Sequence, residues 1–204
     1  MNVSAKEAAE LLGVSRMQIS RLVAAGEVKS ERFGNALQID FDSLQRYRDL
    51  RPAPGRPVEP DVAWRLLGGD VGRALDLAGL QRLAIESRRR AQRHEMRVLP
   101  GSIERVLSDP AVVVSGARAA VEHGAAVQDR PPYQLYVSES DFDSFVRRHG
   151  AREVSADANL IVRVAPRDAW IFGAGLVAPP LVAMVDLVDE RDDRSAAEAF
   201  REFA

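Results

Sequence analysis

The sequence predicts an α+β protein of two folded parts joined by a proline-rich segment, and three observations carry that expectation. Within the first fifty residues, two short helical stretches with capping residues precede a Gly-Asn pair flanked by strand-like runs. The ten residues Arg51 to Pro60 contain four prolines and no apolar periodicity, which marks an extended linker. Beyond residue 110, short β-branched runs alternate with amphipathic helical stretches, the pattern of an α/β domain with a mixed sheet. With 204 residues, 46% of them apolar, the chain can fill one medium core or two small ones.

Ser4-x-x-Glu7 forms a capping-box pattern, with Ala8, Leu11 and Leu12 as the apolar face of a helix that Gly13 ends. Ser15-x-x-Gln18 opens a second helix, in which Ile19, Leu22 and Val23 share one stripe and Gly26 is the stop. Two helices with so short a turn make a helix-turn-helix. Val28 to Phe33 and Ala36 to Ile39 then bracket Gly34-Asn35, suited to a tight hairpin turn, and Asp40 or Asp42 caps a third helix carrying Leu44 and Tyr47.

Projected at 100° per residue, the second helix turns Met17, Ser20, Arg21 and Ala24 away from its buried stripe, with Arg16 and Gln18 at the margins. Arginine can donate two hydrogen bonds to guanine and glutamine can pair with adenine. The residues expected to meet DNA are therefore Ser15, Arg16, Met17, Gln18, Ser20 and Arg21, with Arg32 and Asn35 on the hairpin reaching phosphates or the minor groove.

The run Ser4-Ala5-Lys6-Glu7-Ala8-Ala9-Glu10-Leu11-Leu12-Gly13-Val14-Ser15-Arg16, with Ile19-Ser20-Arg21-Leu22-Val23-Ala24-Ala25-Gly26-Glu27, resembles the excisionase and MerR-type winged helix-turn-helix over about a quarter of the chain. The resemblance implies DNA binding with the second helix in the major groove.

Residues 61–109 read as a basic helical connector. Residues 51–105 hold 11 basic and 7 acidic side chains, against 6 basic and 10 acidic in 151–204. Arg88, Arg89, Arg90 and Arg93 are expected as phosphate contacts that extend the footprint, or else as a solvated helix face. In 110–204 the expected strands are Ala111 to Ser115, Gln134 to Val137, Asn159 to Val164 and Trp170 to Phe172. Helices are expected over Ala117 to His123, around Phe142, Phe145 and Val146, from an opening Pro179-Pro180 to Val188, and after a Ser195-x-x-Glu198 cap. Asp189 to Asp193 reads as a solvated acidic loop, or one that docks on a basic surface.

Val113-Val114-Ser115-Gly116-Ala117-Arg118-Ala119-Ala120, Leu135-Tyr136-Val137, Ala158-Asn159-Leu160-Ile161-Val162-Arg163, Val177-Ala178-Pro179 and Asp186-Leu187 together resemble the C-terminal domain of the AbiEi family, antitoxins of type IV toxin–antitoxin systems. What the resemblance implies is autorepression through the N-terminal domain and neutralisation of a nucleotidyltransferase toxin. The winged helix here differs in type from that of many members, so the operator does not carry over.

The expected architecture is thus a winged helix-turn-helix (1–50), a linker (51–60), the connector (61–109) and an α/β antitoxin-like domain (110–204). Its expected partners are double-stranded DNA of its own promoter, the cognate toxin and a second copy of the chain on DNA. Two alternatives remain. One is a free-standing transcription regulator with a ligand-sensing C-terminal domain. The other is a nucleotidyltransferase holding Mg²⁺ on Asp141 and Asp143, although an acidic first turn also stabilises a helix without any metal.

No catalytic residue, cofactor or metal is expected in the leading reading. The chain has no cysteine, and His94, His123 and His149 lack metal-ligand spacing. Of 28 basic residues only Lys6 and Lys29 are lysines, so lysine-dependent catalysis in the C-terminal three quarters is excluded. The longest uncharged run, Ala169 to Val185, falls short of the roughly 20 residues a membrane span needs. Lys6, Glu7 and Glu10 stand where a signal peptide would be apolar, so a cytoplasmic location is expected.

Overall fold

Two parts of the chain, one about a quarter of its length and the other the remainder, each build their own sheet and core. The computed structural model describes residues 2–33, 36–49, 58–68 and 76–203. It divides into two compact units, Met1–Ala53 and Pro54–Ala204. The division falls inside the proline-rich segment, most of which lies outside the described residues.

In the first unit, β1 (Asn2–Ser4) runs straight into α1 (Ala5–Leu12). Ser4 Oγ accepts the Glu7 N–H at 3.2 Å and Glu7 Oε2 accepts the Ser4 N–H at 2.8 Å, so two helix-end donors are satisfied reciprocally. Gly13 ends the helix at φ +64°, a conformation that a Cβ disfavours, and the Val14 N–H turns back to Ala9 O. After the Gly13-Val14-Ser15 turn comes α2 (Arg16–Ala24), and Ser15 Oγ accepts the Gln18 N–H at 3.2 Å. The Ser15 half of the expected second box is what forms. Glu27 N–H bonds Leu22 O and closes α2 in the same manner as α1.

Strands β2 (Ser30–Phe33) and β3 (Ala36–Asp40) pair antiparallel with Phe33 opposite Ala36, leaving two residues between them. Those residues, Gly34 and Asn35, lie outside the described set, so neither the turn nor the expected Asn35 contact is placed. β1 covers the other edge of β3, giving the order β1-β3-β2. Sequence pattern misses β1 because three residues with one apolar side chain show no alternation. Asp40, not Asp42, caps α3 (Phe41–Asp49), through Oδ1 on the Ser43 N–H at 2.7 Å. Ala8, Leu12, Ile19, Leu22, Val28, Ile39 and Leu44 make the core.

The second unit contains α4 (Pro60–Leu67), α5 (Leu77–Ser87), β4 (Gln92–Arg97), α6 (Ile103–Leu107), β5 (Val112–Ser115), α7 (Gly116–Glu122) and β6 (Tyr133–Ser138). It continues with α8 (Phe142–His149), β7 (Arg152–Glu153), β8 (Leu160–Ala165), α9 (Pro180–Asp189) and α10 (Asp193–Phe203). The sheet order is β5-β6-β8-β4-β7, parallel between β6 and β8 and antiparallel elsewhere. This is the expected mixed sheet, with a correction at one interior strand. β4 comes from the stretch expected as a helical connector, and α5 packs on α9, so residues 61–109 belong to the second unit rather than forming a separate element.

Strand period two sorts the side chains. Val112, Val114, Leu135, Val137, Leu160, Val162, Val164 and Met96 form one face, packed against Phe145 of α8 and Val106 and Leu107 of α6. The opposite parity gives Ser115, Gln134, Tyr136, Arg163, Arg93 and Glu95; Ser115, Tyr136, Arg163 and Arg93 meet Asp186 and Asp189 of α9 or Glu190 just after it, while Gln134 and Glu95 bond Arg163 and Arg93. Gly116 joins β5 to α7 at φ +59°, and an ideal Cβ there would lie 2.6 Å from the Gln134 side chain. Two further expectations are corrected. Trp170 to Phe172 is a 3₁₀ turn rather than a strand, with Trp170 Nε1 donating to Trp64 O at 2.7 Å. The last helix starts at Asp193 rather than at Ser195, because Asp192 Oδ1 accepts the Ser195 N–H.

Candidate nucleic-acid interface

The packing of α2 determines which of its side chains face water. Ile19 and Leu22 are buried and Val23 is half-buried, which leaves Arg16, Met17, Gln18, Ser20, Arg21 and Ala24 exposed, as the projection predicts. The helix carries two arginines and no acid, so its solvent face is positive. Arg21 Nη2 donates to Met17 Sδ at 3.7 Å, one helical turn away. Ser20 Oγ donates to Arg16 O at 3.2 Å. Ser15 at the N-cap and Ser20 within the helix therefore each make one local bond, and each keeps acceptor or donor capacity toward a ligand. Arg32 is exposed on β2, opposite Leu37.

The arginines expected to extend this footprint sit differently. Arg88 and Arg89 fall in the turn after α5, the first half-buried and the second exposed. Arg90 is only 1% exposed and is corrected from a phosphate contact to a core residue. Its guanidinium pairs with Asp186 and Asp189 and donates from Nε to the Tyr136 hydroxyl at 2.8 Å. Arg93 is likewise committed internally, to both oxygens of Glu190 at 2.8 Å and to Glu95 at 2.6 Å. Phosphate would have to displace carboxylates that these two groups already hold at close range.

The same geometry corrects the first two residues of the expected acidic loop, while Arg191 and Asp193 are exposed. Asp189 and Glu190 face inward, toward Arg90, Arg93 and Arg163, and are not presented to a partner. Burial works against the charge of Arg90, but Asp189, Tyr136 and Asp186 outweigh it and hold the guanidinium protonated. Burial also pushes the Tyr136 hydroxyl and the Asp189 carboxyl up. Sequence reasoning missed this network because its members lie far apart, as in the pairing of Arg90 with Asp186.

At Asp141, Ser138 Oγ donates to Oδ2 at 2.6 Å, and Asp143 is exposed in the first turn of α8. Among the described residues no group of three or more His, Cys, Asp or Glu side chains is arranged to hold a metal ion.

A shallow cleft lies between Arg105, Ser108, Asp109, Pro110, Arg148 and His149. Asp109 there accepts from His149 Nε2 at 2.6 Å, Arg148 Nη1 at 2.5 Å and the Ala111 N–H at 2.9 Å. Burial raises its carboxyl, but the Ala111, His149 and Arg148 bonds outweigh that and hold it below the ordinary carboxylate value. A carboxyl with a lowered folded-state pKa stabilises the fold above its unfolded pKa of about 4, and that contribution fades as pH falls through the folded value. Asp109→Asn is therefore expected to cost on the order of 2 kcal/mol at pH 7. In urea unfolding followed from pH 7 down to pH 3, the gap between variant and wild type closes on acidification.

No helix among the described residues is long and apolar enough to cross a membrane. No family model matches the chain, and no solved structure matches it. The chain is similar to uncharacterized proteins of Mycobacterium tuberculosis and Mycobacterium bovis, each 41% identical over 51 residues. That segment is 25% of this chain and 45% of each relative, so the match spans less than half of the mycobacterial proteins' own length.

Proposed function

We propose that the chain is a DNA-binding protein that represses its own promoter and counteracts a nucleotidyltransferase toxin, without enzymatic activity of its own. The observation that supports DNA binding is the solvent face of α2, which gathers Arg16, Met17, Gln18, Ser20 and Arg21 on one acid-free helix. A helix of this size fits the major groove, where guanidinium and amide groups read base edges while other cations meet phosphates. The turn-linked helices with the β2–β3 hairpin agree with the winged helix-turn-helix resemblance, and autorepression follows from that reading. The antitoxin role rests on the resemblance of the second half to AbiEi antitoxins. Partner surfaces for it are sought outside Asp189 and Glu190, which face the core. The protein acts in the cytoplasm in this reading, where both DNA and toxin are found.

Two cell assays test the two halves of the proposal. The chain is expected to repress a reporter driven by its own upstream region, and Arg16→Ala with Arg21→Ala to relieve that repression. A fragment beginning at Val58, which retains every described element of the second unit, is expected to rescue cells that express the cognate nucleotidyltransferase toxin. Repression unaffected by the double substitution removes α2 from the DNA contact; a folded fragment that fails to rescue places the antitoxin role elsewhere.

A further inference from the structure

Met17 is 66% exposed, more than Leu11 at 45%, the other large apolar side chain exposed among the described residues of the first unit, and the core of that unit forms without it. It stands one turn before Arg21 on the positive face of α2, and its sulfur accepts a hydrogen bond from the Arg21 guanidinium at 3.7 Å. That contact uses one of five guanidinium donors and steadies the rest, leaving enough for a two-bond grip on guanine O6 and N7. A thioether is flexible, polarisable and apolar, and the only apolar group that a base pair presents in the major groove is the thymine 5-methyl.

Resting on the DNA-binding reading above, we infer that Met17 is a specificity-determining residue: it reads a thymine 5-methyl group beside the guanine that Arg21 addresses. Residues four apart on a helix are separated by about 6 Å along its axis, while stacked base pairs are about 3.4 Å apart. The thymine therefore lies within two base pairs of the guanine. Positive charge without any acid on α2 makes a polyanion the occupant of this face, and the methyl group is what makes an exposed methionine useful there.

The test uses the full chain and a pool of duplexes with a randomised core, from which the preferred site is selected. Each thymine in that site is then replaced by deoxyuracil, which removes only the methyl group. At one thymine per bound α2, uracil is expected to weaken wild-type binding about fourfold, the equivalent of the ~0.8 kcal/mol of one buried methyl. Met17→Ala, at an exposed helical position where alanine is favourable, is expected to bind the thymine duplex about fourfold more weakly than wild type and to ignore the uracil replacement. Uracil that leaves wild type unaffected at every position, or weakens both proteins equally, overturns the role of Met17 while DNA binding by α2 stands. A pool that yields no enriched duplex overturns the functional reading and this inference together.

Discussion

Alanine at Asp186 lowers the stability of the second unit by about 3–5 kcal/mol, because it strips buried cations of a shared carboxylate. Asp186 is fully buried and accepts from Arg90, from the Tyr136 hydroxyl at 2.8 Å, from Arg163 Nε at 3.1 Å and from Ser115 Oγ. Removing it leaves a serine and a tyrosine hydroxyl without an acceptor and leaves Arg90 with Asp189 as its remaining carboxylate. Each such loss in a dry interior costs more than the bond would contribute at the surface. Urea unfolding monitored by the fluorescence of Trp64 and Trp170, both in this unit, reads the change directly. None of these residues belongs to the core of the first unit, so the amide signals of α1 and α2 are expected to stay in place. A loss below about 1 kcal/mol would mean that water or rearranged partners replace Asp186 readily.

Arg21→Ala weakens binding to the promoter duplex by about 1–3 kcal/mol, or roughly 5- to 150-fold, if the guanidinium grips a base edge. Against a random duplex of equal length and at equal ionic strength the loss is expected to be much smaller, since one phosphate-neutralising charge among several is all that disappears. Arg21 is exposed and its guanidinium bonds the exposed Met17, so among the described residues the substitution removes no core contact. Fluorescence anisotropy with both duplexes distinguishes the cases, and equal losses on the two would make Arg21 a phosphate contact.

The first unit was legible because its signals are local. Ser4 with Glu7, Ser15, Gly13 and Gly26 each act within a few residues, and the apolar spacing of Ile19, Leu22 and Val23 fixes which face of α2 is exposed. The strands β5, β6 and β8 were legible for a related reason, since their runs of β-branched, aromatic and other apolar side chains pack on both faces. β4 was not. Its sequence, Gln92 to Arg97, looks like solvated helix, and it takes Glu190, far along the chain, together with Glu95 to make Arg93 compatible with an interior strand. The same distance hid the role of Arg90, whose neighbours Arg88 and Arg89 suggested a phosphate-binding run while its partners lay on α9. At Trp170 to Phe172, strand propensity yields to a tertiary bond between the Trp170 indole and Trp64 O.

The most direct measurement of the central claim is the affinity of the whole chain for its own upstream duplex and for a scrambled duplex, across a salt series. Sequence reading by α2 predicts binding to the upstream duplex about 10³-fold or more tighter than to the scrambled one, with both affinities falling as salt rises. Equal affinity for the two duplexes at every salt concentration, or no binding to either, would contradict it.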